Sequence, residues 1–128
     1  MTQEQIDLLL IDLCARLPHG VKVNWNDNIY YFTGIYSFNV CVLSVDNEDN
    51  TTAGIDYIKP YTTVGINYIK PYLFPLSSMT DEQKTLWDYI DNYADHHEAV
   101  DWLNKNHFDY RGLIDMGLAL DATNKNIY

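Results

Sequence analysis

The chain carries two consecutive copies of one eleven-residue block, residues 51–61 and 62–72, and this repeat limits the possible folds more than any other feature. The copies differ at only two positions, Ala53/Val64 and Asp56/Asn67. Such close identity indicates a tandem duplication. Each copy reads Thr-Thr-x-Gly-Ile-x-Tyr-Ile followed by Lys-Pro-Tyr, a pattern that favours a short strand.

The odd length of the block decides how two such strands can be arranged. Strand side chains alternate between two faces, so a straight continuation would turn Ile66 and Tyr68 to the face opposite that of their counterparts in the first copy. Pro60 and Pro71 cannot donate a hydrogen bond to a sheet, and we expect each strand to end there. The sequence therefore predicts two separate strands, one of them near a sheet edge.

The residues before the repeat predict one helix and three strands. Thr2 and Gln5 form a capping-box pattern, and apolar residues at helical spacing follow it, so we expect a helix over residues 3–16. Alternating or β-rich runs predict the strands, which cover residues 21–25, 29–36 and 40–45. Gly34, inside the second of these strands, predicts a bulge.

The residues after the repeat predict helices. Residues 73–76 form an apolar connector, and capping patterns at Thr80 and Asp95 predict two helices, the second starting at residue 96. The predicted inner face of the first of these helices consists of Leu86, Trp87, Ile90, Tyr93 and Ala94. A short helix over residues 113–116 and a fraying polar tail from Asp121 complete the expectation.

These elements together predict a single α+β domain over residues 1–128. A first helical segment (1–18) and a C-terminal helical subdomain (80–120) flank a β-rich part (20–75), which contains the repeat. Five short strands with a glycine bulge favour a small antiparallel barrel of the SH3-like or OB-like kind, or a bent sheet.

The net charge of −10 narrows the classes of partner. It disfavours nucleic-acid phosphates and anionic membranes, which both attract basic residues, and favours a partner with a basic surface. The acidic N-terminus is unlike a signal peptide, and no apolar run reaches the roughly 18 residues that span a bilayer. We therefore expect a protein of the host-cell cytosol, with Cys14 and Cys41 as buried free thiols.

Three sets of side chains are candidate binding groups. Carboxylates dominate residues 81–101, where seven acids accompany Lys84 alone, and the acidic-face candidates are Asp81, Asp88, Asp91, Asp95 and Glu98. Tyrosine occurs eleven times, and the aromatic-face candidates are Trp25, Tyr31, Tyr57, Tyr68 and Tyr72. The possible phosphate partners are Lys59, Lys70 and Arg111. A solvated helix face and ordinary barrel packing are the alternative interpretations of the first two sets.

No catalytic or metal-binding pattern stands out. His96 and His97 are adjacent, so on a helix they point about 100° apart and are poorly placed to share a metal. A helix start with polar first-turn residues explains them better. Nucleophile elbows and phosphate-binding glycine loops are absent from the sequence. We therefore expect a non-enzymatic protein without a cofactor or metal.

Several segments resemble a known group of small proteins, without an assigned activity, from gut Bacteroidales genomes and their phages. The resemblance lies in residues 72–80 (YLFPLSSMT), 102–114 (WLNKNHFDYRGLI), 117–120 (GLAL) and 13–23 (LCARLPHGVKV). That group carries the Ile-Lys-Pro-Tyr block once, so the duplication is a departure from it. The resemblance implies a phage or mobile-element setting and brings no catalytic residues.

Charge, aromatic content and this resemblance lead to one preferred function and two alternatives. The preferred hypothesis is an interaction protein of a phage or mobile element that binds a host protein, in a counter-defence role for example, through the acidic helical face, the aromatic barrel face or both. One alternative is a sponge for a small ligand such as a nucleotide signal. The other is a virion or assembly component in which the duplicated edge strand pairs between subunits.

Overall fold

A computed structural model describes residues 1–37, 39–45 and 61–128. The first copy of the repeat, apart from Tyr61, lies outside the described residues, and so do the binding candidates Tyr57 and Lys59 and the expected strand end at Pro60. The chain divides into two compact units, Met1–Pro71 and Tyr72–Tyr128, and the division falls inside the second copy.

The first unit opens with helix α1, Gln3–Arg16, as its capping pattern predicts. The Gln5 N–H donates to Thr2 Oγ1 at 3.1 Å, and the Thr2 N–H donates back to Gln5 Oε1 at 2.9 Å. This reciprocal pair satisfies two backbone donors that the helix itself leaves open. A 3₁₀ turn over Leu17–His19 ends the helix, and Gly20 follows it with a left-handed φ of 69°.

Antiparallel strands form the sheet of the first unit. They are β1 (Lys22–Trp25), β2 (Asn28–Ser37), β3 (Val40–Val45) and β4 (Tyr61–Gly65), and β1 also pairs with the beginning of β5 (Lys70–Pro75). The strand order is β4-β3-β2-β1-β5, an open path rather than a closed barrel within the described part of the chain. The predicted α+β class and the bulge at Gly34 are confirmed, since the β2–β3 register shifts between Phe32 and Gly34.

The second copy of the repeat corrects the expectation that each block forms one strand ending at its proline. Strand β4 ends at Gly65, a 3₁₀ turn covers Ile66–Tyr68, and β5 runs through Pro71. The turn brings Ile66 and Ile69 into the core, where both are buried. Pro71 is tolerated because it is the second residue of its strand, close to the end where a missing donor costs least.

The second unit is built on the last residues of β5, which were expected to be a connector. Two-residue strands β6 (Phe108–Asp109) and β7 (Leu120–Asp121) pair with β5 in parallel, so the sheet is mixed. Its core cluster contains Met79, Leu103 and Phe108. Residues 73–75 are therefore part of the sheet. Leu73 is buried, and strand pairing gives hydrogen-bond partners to the backbone N–H and C=O groups of this segment.

Helices α2 (Asp81–Tyr93) and α3 (His96–Lys105) begin where the capping patterns predict. The Glu98 N–H donates to Asp95 Oδ1 at 2.8 Å, and this bond fixes the start of α3. No helix within the described ranges has the length and apolar character needed to cross a membrane.

The predictions for the C-terminal residues were wrong. Residues 113–117 form turns instead of a short helix, because Gly117 has a left-handed φ of 76° and the Leu118 N–H donates back to the Leu113 carbonyl at 2.9 Å. The Asp109 carboxylate accepts the N–H groups of Leu113 and Ile114 at 3.0 and 2.9 Å. The tail is packed instead of frayed, since Ile127 is buried and the Tyr128 hydroxyl donates to the Tyr72 carbonyl at 2.8 Å.

Candidate functional site

Helix α2 has no buried residue among its thirteen. Leu86, Tyr89 and Tyr93 are 48%, 64% and 77% exposed, and the two tyrosine rings lie 5.1 Å apart. These three residues recur at spacings of three and four, so they share one side of the helix. We call them the outer apolar strip.

The exposure of Leu86 and Tyr93 shows that the prediction of the inner face of α2 was wrong for these two residues. Leu86 and Tyr93 were expected to be buried together with Trp87, but only Trp87, Ile90 and Ala94 of that set are partly buried. The Trp87 ring contacts Trp102 of α3, with 5.7 Å between the ring centroids. Because successive helical residues point about 100° apart, Leu86 points away from this contact. A single neighbouring helix covers too narrow an arc to bury both.

The acidic-face candidates are all exposed, but they do not all have the same role. Asp81, Asp88 and Asp91 lie along α2 on one side of the residues that contact α3, and the outer apolar strip lies on the other side. Asp95 uses its carboxylate as the N-cap of α3, and Glu98 lies in the first turn of that helix. The acidic surface therefore extends over both helices, with one member also needed for the fold.

An open groove lies between α2 and α3 within the second unit. Ile90, Ala94 and Trp102 supply its apolar lining, and its volume is about 240 Å³. The charged residues that complete its lining are Glu98, Asp101 and Lys105. Sequence patterns did not single out this groove, because a crevice between two helices depends on how the helices pack.

The aromatic-face candidates do not form one surface among the described residues. Trp25 packs against Tyr30 at 5.5 Å between ring centroids. Tyr31 lies opposite Lys22 across the β1–β2 pair, and because side chains alternate along β1, it faces the other side of the sheet from Trp25. Tyr72 is only 7% exposed and belongs to a core, whereas Tyr68 is exposed on the 3₁₀ turn.

The described phosphate candidates belong to different units. Lys70 is exposed at the start of β5 in the first unit. Arg111 belongs to the second unit, where its guanidinium lies 4.8 Å from the Tyr110 ring centre and donates to the Tyr110 hydroxyl at 2.9 Å. A sponge for a nucleotide signal would need a pocket lined by tyrosine side chains and at least one lysine or arginine. The described lining residues of the α2–α3 groove include Lys105 but no tyrosine.

The cysteines and histidines show no reactive arrangement in the part that the structure describes. No group of three or more histidine, cysteine or acidic residues there could hold a metal. Both cysteines are free thiols, but Cys14 is exposed and corrects the expectation that both are buried. Burial, and then the nearby Cys14, raise the pKa of Cys41 to about 11, so Cys41 stays a neutral thiol and a poor nucleophile near neutral pH.

Comparison with known protein families, curated proteins and solved structures finds no match to this chain. The functional assignment therefore depends on the surface geometry of the two units.

Proposed function

We propose that this chain is a non-enzymatic protein-binding protein that docks on a basic surface of its partner through helix α2. The exposed outer apolar strip, Leu86, Tyr89 and Tyr93, carries the proposal. Single exposed apolar residues are normal on protein surfaces, but adjacent ones point to an interaction site.

The residue types of the strip suit protein binding. Tyrosine offers a large contact area with few rotatable bonds and is enriched in interface cores. The rings of Tyr89 and Tyr93 lie 5.1 Å apart, tilted by 39°, and form one contiguous aromatic surface rather than two separate rings. A partner that covers them removes apolar area from water, worth roughly 25 cal/mol per Å² before the costs of association.

The acidic character of α2 and α3 supports a basic partner. Residues 81–101 contain seven acids and one lysine, and the whole chain carries a net charge of −10. Such a field speeds association with a basic surface and opposes association with an acidic one. In the phage or mobile-element setting that the resemblance implies, the partner is a host protein, and interference with a host defence is one role of that kind.

The experiment is a quantitative pull-down from lysate of a gut Bacteroidales host, comparing tagged variants by mass spectrometry. Leu86→Ser/Tyr89→Ser should lose the partner, because both side chains are exposed and leave the fold intact when replaced. Asp88→Lys/Asp91→Lys should weaken capture of the same protein by reversing part of the negative charge of α2.

The matched control is Tyr36→Ser/Tyr68→Ser, which removes two tyrosines of the first unit that are even more exposed, at 74% and 73%. We expect this control to capture the partner as the unaltered chain does. A partner retained by the α2 variants but lost by the control would place the binding surface in the first unit and contradict the proposal.

A further inference from the structure

The α2–α3 groove has a rigid apolar lining. Trp102, which forms one wall, stacks on Trp87 at 5.7 Å and 23° and on Phe108 at 5.7 Å and 22°. Ile90 and Ala94 line the groove from the α2 side. Because the indole is held by two other rings, the groove exists before any partner arrives, and binding there need not order a mobile side chain.

The charged residues of the groove favour a cation. Glu98 and Asp101 are three residues apart on α3 and so lie on the same side of the helix, both exposed. Lys105, one turn beyond Asp101, offsets part of their charge. The groove therefore keeps a net negative lining beside its apolar walls.

The volume of the groove limits the size of its occupant. Pockets for drug-sized ligands and cofactors measure about 300–1,000 Å³, whereas this groove measures about 240 Å³. One long side chain suits that space better than a nucleotide. An arginine or lysine has an apolar stem and a charged tip, so it matches an apolar groove with carboxylates at its edge.

We propose that the groove receives the side chain of an arginine from the partner protein, an inference that rests on the proposed function. The methylene stem lies along Ile90, Ala94 and Trp102, and the guanidinium reaches Glu98 and Asp101. Arginine is preferred over lysine because its planar fork carries five donors and can bond two carboxylates at once. Ile90 lies one helical turn from Leu86, so the same partner can cover the groove and the outer apolar strip.

The test uses N-acetyl-arginine-amide as the probe and N-acetyl-citrulline-amide as its neutral isostere, each titrated into the ¹⁵N-labelled full chain. The arginine probe should give saturable chemical-shift changes at the Trp102 indole N–H and at the backbone amides of Glu98 and Asp101. The citrulline probe should leave these signals unchanged. Equal responses to the two probes, or shifts confined to other parts of the chain, would overturn the proposal.

Charge variants make the same test quantitative. Glu98→Gln/Asp101→Asn should raise the dissociation constant of the arginine probe about fivefold, the effect of two solvent-screened carboxylates. Lys105→Gln should lower that constant, because it removes the one cation of the groove. Glu4→Gln/Asp7→Asn changes the net charge equally on exposed residues of α1 and should leave binding unchanged. If the control variant weakens binding as much as Glu98→Gln/Asp101→Asn does, the arginine probe is attracted only by the overall negative charge of the protein. That result would refute the groove as the binding site.

The pull-down separates failure of this inference from failure of the proposed function. If Glu98→Gln/Asp101→Asn captures the partner fully while Leu86→Ser/Tyr89→Ser loses it, the outer apolar strip is the docking site and the groove is not part of it. If both variants capture the partner fully, the proposed function itself is wrong.

Discussion

Asp12 and Arg16 form a fully buried ion pair one turn apart on α1. Arginine Nε and Nη2 donate to the two carboxylate oxygens at 2.9 and 3.1 Å, a bidentate geometry. Removing a charge from water is costly, and a close partner with good geometry offsets much of that cost. Each of the two side chains therefore depends on the other for its place in the core.

We expect Asp12→Ala to lower the free energy of unfolding by about 3–5 kcal/mol, because it leaves the buried guanidinium without its carboxylate. Urea denaturation measures the change. Asp7→Ala is the matched control on the same helix, since Asp7 is exposed and accepts a side-chain hydrogen bond from Gln3. Its effect should stay within about 0.5 kcal/mol. Equal losses from the two variants would contradict a special role for the buried pair.

The two thiols should differ in reactivity and in their effect on pH-dependent stability. Cys14 is exposed and should react with a thiol reagent in the folded protein, whereas Cys41 should react only as the chain unfolds. Because burial raises the pKa of Cys41 from 9.0 to about 11, the folded state holds its proton more tightly. The stability that the protonated Cys41 thiol contributes to the folded state is complete below pH 9 and is lost as the pH rises towards 11. Two thiols labelled at the same rate would refute this difference.

Among the elements, α2 is held mainly by its own local interactions and by one side contact. Its capping box joins Thr80 and Gln83 at 3.1 and 2.9 Å, and Trp87 stacks on Trp102. Apart from Trp87 and the partly buried Gln83 and Ile90, the residues of the helix are exposed. A helix with this little burial keeps an accessible outer surface, which is what the proposed docking requires.

The repeat offers a matched pair of deletions. Removing residues 51–61 leaves the second copy, which supplies β4 except for Tyr61, the 3₁₀ turn and the start of β5, and should preserve a cooperative unfolding transition. Removing residues 62–72 gives the same chain with two changes, equivalent to Val64→Ala and Asn67→Asp. Val64 is buried and Asn67 is exposed, so the second deletion should be less stable by about 2 kcal/mol.

Thermal and urea unfolding of the two deletion variants measure this difference. Loss of the cooperative transition on removal of residues 51–61 would show that both copies are structural. Equal stability of the two variants would show that the Val64 position is not as tightly packed as its burial indicates.

At the scale of the whole molecule, the negative charge should act on the rate of association. Long-range attraction between the acidic chain and a basic partner is screened by salt, with a Debye length of about 10 Å at 0.1 M and about 3 Å at 1 M. We expect the association rate constant with the captured partner to fall about tenfold or more between 0.05 and 0.5 M NaCl, with a smaller change in dissociation. Surface plasmon resonance measures both, and a rate constant independent of salt would contradict electrostatic steering.

Features that depend on residues close together in the chain could be predicted from the sequence. Capping residues Thr2, Thr80 and Asp95 mark the three helix starts because their side chains bond to backbone within the same turn. Alternation likewise located β1, β2 and β3, and composition located the acidic residues of the candidate site.

Contacts between side chains far apart in the sequence could be found only in the folded structure. Tyr72 became a core residue and Pro71 part of a strand because of the strands beside them, and Tyr93 stayed exposed because α3 covers only one side of α2. The groove beside Trp102 arises from the same packing. Such outcomes follow from contacts between residues far apart in sequence, which no local pattern of apolar and polar residues contains.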